Sequence, residues 1–285
     1  MFYDSTERRK EIFDDTMRLC RDNKRLAESV KSSISRTIFY PENNYPFIKD
    51  GKNEGNSEIT VTMERSFEAS ARLHNEFPEY RIAVLNFASA TNPGGGVTRG
   101  SSAQEESLCR CSTLYPCLNT RELFGKFYKM HREGKNLRYT DTCIYTPDIT
   151  VIKSDINFPE LLPEEKWFNA DIITCAAPNL RKKPYNPMNP GSAEPIRISD
   201  KELLEIHKKR GKHILNIAAF NRADIIILGA FGCGAFRNNP SVVARAYKEI
   251  LPEYSPYFKK IVFAVYCTPD NLSNYNVFKN MLDRE

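Results

Sequence analysis

Two nearly unbroken apolar runs, Asp224–Ala230 (DIIILGA) and Lys260–Cys267 (KIVFAVYC), constrain this chain more than any other feature of it. A strand with one wet face alternates apolar and polar residues, whereas a strand apolar along its whole length is covered on both faces. That is the situation of a mainly parallel sheet with helices on either side. Around these two runs, β-type and helical periodicities alternate from Ile59 onward. Strands are expected at Ile59–Met63, Arg81–Phe87, Cys143–Tyr145 with Thr150–Lys153, Asp171–Cys175, Asp224–Ala230 and Lys260–Cys267. Helices are expected at Glu64–Glu76, Ser102–Tyr115, Arg121–Glu133, Asp200–Phe220, Pro240–Leu251 and Leu272–Arg284. The fold class is therefore α/β.

The first sixty residues read differently. Ile12, Phe13, Met17, Leu19, Cys20, Leu26 and Val30 recur at helical spacing from Thr6 to Ser33, which makes an amphipathic helix that must pack on something. A short strand (Thr37–Tyr40) and a polar loop follow, so residues 1–58 read as a helical extension and 59–285 as the main domain. An irregular segment, Pro178–Ile198, carries prolines at 178, 184, 187, 190 and 195. Loops that long inside a compact domain are usually functional or mobile.

Composition removes several classes. No stretch approaches the ~20 apolar residues of a membrane span, and MFYDSTERRKEIFDD has no apolar core of a signal peptide. A cytoplasmic protein is expected. Net charge is +5 over 285 residues, too diffuse for a basic nucleic-acid-binding stripe. The eight cysteines form no C-x-x-C pair, and several stand in apolar runs such as IITCAA, so buried structural thiols are expected and no metal site.

Two strand-to-helix turns carry the chemistry, because ligands of open α/β sheets bind beyond the carboxyl ends of the strands. In the first, the strand ending at Phe87 is followed by Gly94, Gly95 and Gly96 and then by a helix from Ser102. Three glycines permit positive φ and let backbone N–H groups face an anion. Ser102-x-x-Glu105 fits a capping box, which accounts for one glutamate. Glu106, turned about 100° from Glu105 at ~3.6 residues per turn, is left to project into the glycine-lined cleft. In the second turn, Asp224–Ala230 runs into Gly229, Gly232 and Gly234 before a helix starts at Pro240, an arrangement suited to a pyrophosphate. It is neither a Walker A loop nor a G-x-G-x-x-G fingerprint.

GGG, seven residues, then QEE, within NFASATNPGGG…AQEESLCRCSTLYPCL and followed by LGAFGCGAFRNNP, resembles the signature of the microbial-type poly(ADP-ribose) glycohydrolases of the macrodomain superfamily. The resemblance implies a macrodomain-like mixed, mostly parallel sheet sandwiched between helices, with ADP-ribose in a cleft at the strand ends and no cofactor or metal. It implies that Glu106 is catalytic, that Glu105 holds ribose hydroxyls and that Gln104 supports them. It further implies that Asn92, Gly94, Gly95, Gly96 and Val97 line the scissile ribose and diphosphate, and that Gly232, Cys233, Gly234, Ala235 and Phe236 form the second diphosphate loop. The implied partner is poly(ADP-ribose) on modified proteins, with no membrane or direct nucleic-acid contact. The insert VTRGSSA carries a bulky Arg99 that bears on the choice of leaving group.

Adjacent glutamates cannot flank a sugar as the two carboxylates of most glycosidases do, roughly 5–9.5 Å apart. One residue acting first as acid and then as base fits better, with Glu105 expected to favour a proton on Glu106. Hydrolysis of mono-ADP-ribosyl protein and non-catalytic ADP-ribose reading are the alternatives. His74, His131, His207 and His213 lie in charged helices and are expected to be solvated or snorkelling, and Trp167 to anchor a local turn.

Overall fold

The computed structural model describes residues 5–48, 57–134, 136–184 and 194–283. Residues 185–193 of the proline-rich segment therefore lie outside the described residues. The elements in chain order are α1 (Ser5–Asp22), α2 (Lys24–Arg36), β1 (Ile38–Tyr40), β2 (Glu58–Thr62), α3 (Ser66–Glu76), β3 (Ile82–Phe87), α4 (Gln104–Cys111) and α5 (Leu114–Leu118). They continue with α6 (Arg121–Leu123), α7 (Met130–Glu133), β4 (Cys143–Val151), β5 (Phe168–Cys175), α8 (Asp200–Phe220), β6 (Ile225–Leu228), α9 (Pro240–Tyr254), β7 (Lys260–Ala264) and α10 (Ser273–Leu282).

The strands form one seven-stranded sheet in the order β1-β4-β5-β3-β6-β7-β2. β5, β3, β6, β7 and β2 are mutually parallel, and β4 runs against its two neighbours. The edge strand β1 comes from the N-terminal extension, so that extension contributes a strand to the sheet as well as helices that pack on it. Both faces are covered. Ile226 and Leu228 of β6 pack into an apolar layer with α8 and α9, while Ile225 and Ile227 pack into the opposite layer with α3 and α4. Burial of one such side chain contributes about 1.5–3 kcal/mol, and here it holds the carboxyl ends of β3, β6 and β7 in register beneath the site.

Several expected elements are revised. The single helix over Thr6–Ser33 is two, because Asn23 leaves the helical region (ψ 117°) and caps α2 by accepting from Leu26 N–H. The helix over Ser102–Tyr115 is also two. Ser112 is extended and bridges to Val151, and Thr113 N–H bonds to Thr150 O, so main-chain pairing with β4 ends α4. The two short strands over 143–153 are one, bulged between Thr146 and Ile149 where Asp148 takes a positive φ of 52°. Six of the eight cysteines are buried. Among the described residues no helix is long and apolar enough to cross a membrane.

Candidate active site

The carboxyl ends of β3, β6 and β7 open into a cavity of about 610 Å³, within the usual range for a ligand site. Gln104 joins the catalytic-helix candidate α4 to β3. Its side-chain oxygen accepts from Phe87 N–H (2.9 Å), and its amide donates to Leu85 O (2.8 Å) and Ser66 Oγ (2.9 Å). Asp155, buried in the loop after β4, accepts from Ser107 Oγ and from Phe67 N–H, tying α4 to the start of α3.

The first turn of α4 thereby delivers both glutamates to the glycine loop. Ala103, not Ser102, is the N-cap, and no side chain caps there, so the expected capping box does not form. Glu105 instead reaches back to accept from Ser89 N–H at 2.6 Å and faces the Gly94 N–H and the Asn86 amide. Glu106 Oε1 accepts from Gly96 N–H at 2.8 Å, while its Oε2 is buried with no hydrogen-bond partner. Gly95 lies between them at φ +60°. A methyl group there would stand 2.5 Å from Glu106 Oε1 and 3.1 Å from Glu105 Oε2.

The electrostatics of the site act on Glu105. Burial, and then the charge of Glu106, push the Glu105 carboxyl well above the usual carboxylate range, against the hydrogen bonds from Ser89, Asn86 and Gly94. Glu105 has the deeper position, at 2% exposure against 7%. Glu105 therefore retains a proton under conditions where an isolated carboxyl would be ionised.

The carbonyls of the second loop are held without charge. Asn238 donates to Pro178 O (2.7 Å), Gly232 O and Phe236 O, and its own oxygen accepts from His207 Nε2 at 2.8 Å. Burial pushes His207 down to about 3, so the ring is neutral and can donate. Among the described residues, the N–H groups of Gly234, Ala235 and Phe236 have no partner. Consecutive free amides of this kind make a concave anion site.

Glu105, Glu106, Gln104, Gly232, Gly234, Ala235 and Phe236 line the cavity together. Asn92, Gly94, Gly95, Gly96, Val97 and Cys233 do not. The Gly94 and Gly96 amides turn toward the protein's own carboxylates, and Asn92 is held by Arg132 (Nη2 to Oδ1, 2.5 Å) and bonds to Thr91 Oγ1. Arg132 also donates to Thr91 O, which makes it a buttress of the loop that sequence reading missed, though it stands beside His131. Three of the four histidines are not solvated, and the fourth is half-buried. His131, His207 and His213 are buried, and His74 stacks on Phe168. At the other end of the cavity the Arg65 guanidinium lies 3.9 Å over the Tyr266 ring.

Residues 7–154 match the model of the family described as microbial-type PARG, catalytic domain. The fold is similar to that of poly(ADP-ribose) glycohydrolase from Thermomonospora curvata (26% identity, TM-score 0.82, covering 96% of this chain and 99% of that one). The same bacterial enzyme bound to the inhibitor ADP-HPD gives 27% identity and a TM-score of 0.80 over the same shares. The glycohydrolase from Deinococcus radiodurans in complex with ADP-ribose is 30% identical with a TM-score of 0.72, covering 88% of this chain and 96% of that one. No curated protein matches. With the paired glutamates of the GGG and QEE segments meeting beside one cavity, and with these relationships, the chain belongs to the microbial-type poly(ADP-ribose) glycohydrolases, glycosidases that hydrolyse poly(ADP-ribose).

Proposed function

We propose that this protein releases ADP-ribose by cleaving the O-glycosidic ribose–ribose bond of poly(ADP-ribose), with Glu106 as the single general acid/base. The observation that carries this reading is the asymmetry of the Glu106 carboxyl: Oε1 is fixed by Gly96 N–H, and Oε2 is buried at the cavity wall without a partner. A fixed carboxyl with one unengaged oxygen can deliver a proton along one direction.

Ribose hydroxyls donating to Glu105 favour its charged form, which shifts the retained proton to Glu106 Oε2. Glu106 hands that proton to the departing ribose oxygen as the oxocarbenium ion develops. The resulting carboxylate then takes a proton from the water that attacks the anomeric carbon, which restores the acid. The diphosphate lies on the free amides of Gly234, Ala235 and Phe236, where backbone dipoles hold its charge. The Phe236 ring closes that end of the cavity.

Glu106→Gln keeps the shape and removes the proton donor. Release of ADP-ribose from polymer is expected to fall by roughly 10³-fold, within the range of general acid–base contributions. ADP-ribose affinity by calorimetry is expected to stay within about twofold of wild type. Retained turnover in this variant overturns the assignment. Wild-type protein that binds polymer without releasing ADP-ribose supports the non-catalytic reader instead.

A further inference from the structure

No residue of α1 lines the cavity, yet this helix is fastened to the loop that holds Glu106. At Gly100, φ is +74°, and the main-chain carbonyl of Thr6 occupies the place a Cβ would need. α1 therefore meets the loop backbone to backbone. Arg9 Nε donates to Gly100 O at 2.5 Å. Within the loop, Gly100 N–H bonds to Val97 O and Ser101 N–H to Gly96 O, which closes residues 96–101 into one turn. Its first residue, Gly96, is the one whose N–H holds Glu106 Oε1.

Two further ties run from the same helix. Phe13 packs edge-on against Tyr115 (centroids 4.9 Å apart), and Tyr115 Cδ2 lies 2.7 Å from where a Cβ on Gly94 would sit. Thr16 Oγ donates to Arg110 O at 2.6 Å, and the Arg110 guanidinium donates to Ser101 O at 2.5 Å. Lys153, 3% exposed, fixes the helix from below by bonding to Ile12 O and Asp15. α1 thus grips both ends of the segment between GGG and QEE, from the side away from the substrate.

We propose that α1 is a positioning element of the active site, and that Arg9, acting through the Gly100 carbonyl, holds the 96–101 turn that aims Glu106. This rests on the reading of Glu106 as the acid/base. Loss of the Arg9 bond frees the turn without touching the binding surface, so the chemical step is affected and binding is not. Displacements of about 1 Å at reacting groups cost on the order of 10²-fold in rate.

The test compares Arg9→Ala, Arg9→Lys, Gly100→Ala and the control Lys10→Ala, an exposed neighbour paired with Glu7. Turnover of polymer, ADP-ribose affinity and thermal unfolding are read for each. Arg9→Ala is expected to lower kcat by roughly 10-fold or more, with KM and ADP-ribose affinity within about twofold. Arg9→Lys, which keeps one donor in reach of Gly100 O, is expected to recover most of that loss. Gly100→Ala, which drives α1 off the loop, is expected to repeat the kcat-selective defect, and Lys10→Ala to match wild type. An unchanged kcat in Arg9→Ala overturns the proposal, as do parallel losses of kcat, affinity and melting temperature, which describe general destabilisation. Glu106→Gln in the same series separates the two readings. If it is active, the acid/base assignment fails. If it is inactive while Arg9→Ala turns over normally, only the role of α1 fails.

Discussion

The two glycine-rich loops at the mouth of this sheet use their backbone amides in opposite ways. In the loop over residues 91–101, Gly94 and Gly96 turn their N–H groups onto Glu105 and Glu106, and arginines 9 and 132 hold the carbonyls of Gly100 and Thr91 from behind. In the loop over 230–236, the amides of Gly234, Ala235 and Phe236 have no partner among the described residues, and the neutral pair Asn238–His207 secures the carbonyls. One loop orients acids belonging to the protein; in the function proposed above, the other receives an anion brought by the substrate. Glycine richness alone does not distinguish these uses, since both follow from the same freedom in φ.

The largest effect that can test this division is expected from Gly95→Ala. The new methyl stands 2.5 Å from Glu106 Oε1, and φ is +60°, so either the carboxyl or the loop must move. A fall in kcat of roughly 10²–10³-fold is expected from displaced acid/base chemistry, with ADP-ribose affinity within a few-fold of wild type. Equal losses in kcat and affinity would mean that the first loop binds the diphosphate too, and the division fails.

Next in size is Asn238→Ala. It leaves Pro178 O and the His207 N–H without their partner in a buried place, and takes one of two donors from Gly232 O and Phe236 O, which keep the Asn238 and Leu180 N–H groups. Unsatisfied groups of this kind cost about 1–3 kcal/mol each in the worst case, partly relieved by loop movement and water. A stability loss of about 2–3 kcal/mol is expected. ADP-ribose affinity should weaken about tenfold, because a loosened loop no longer presents its three amides together. Turnover at saturating substrate is expected to stay within about threefold. A kcat loss larger than the affinity loss would place chemistry on the second loop and erase the contrast.

Much of this architecture was readable from the sequence, and the misses share one cause. Patterns local in sequence carried well: the apolar runs at 224–230 and 260–267 hold the strands Ile225–Leu228 and Lys260–Ala264, covered on both faces, and the GGG and QEE segments do meet. What failed depends on partners distant in the chain. Ser102-x-x-Glu105 satisfies a capping pattern, but Ser89 N–H, sixteen residues back, takes the Glu105 side chain. The glycine triplet suggested amides facing an anion, and the Gly94 and Gly96 N–H groups are taken up by Glu105 and Glu106, eleven and ten residues on. His207 stands among charged neighbours, but its own face of α8 turns inward to Asn238, thirty-one residues on. The helical pattern over 6–33 is continuous in apolar spacing, and only the side-chain bond of Asn23 divides it. Arg132 carries no pattern at all; its function appears only when α7 is seen behind residues 91 and 92.

The smallest effect, and the one most specific to the charged loop, is a pH-dependent stability difference in Glu105→Gln. The Glu105 carboxyl sits well above its unfolded value near 4.3, so its neutral form stabilises the fold below that value. This contribution is lost as pH rises from about 4.3 through the raised folded value, because the unfolded chain ionises first. Glutamine cannot ionise. It can still accept from Ser89 N–H, and its amide can donate to Asn86 Oδ1, which is buried without a partner. Melting temperatures of wild type and variant should therefore nearly coincide at about pH 4 and diverge as pH rises, with the variant the more stable. The same titration applied to Asn238→Ala should give a gap that stays constant above about pH 6.5, where His207 is neutral in both folded and unfolded chains. A gap that is flat for Glu105→Gln, or one that grows with pH for Asn238→Ala, breaks the assignment of charge to the first loop and neutrality to the second.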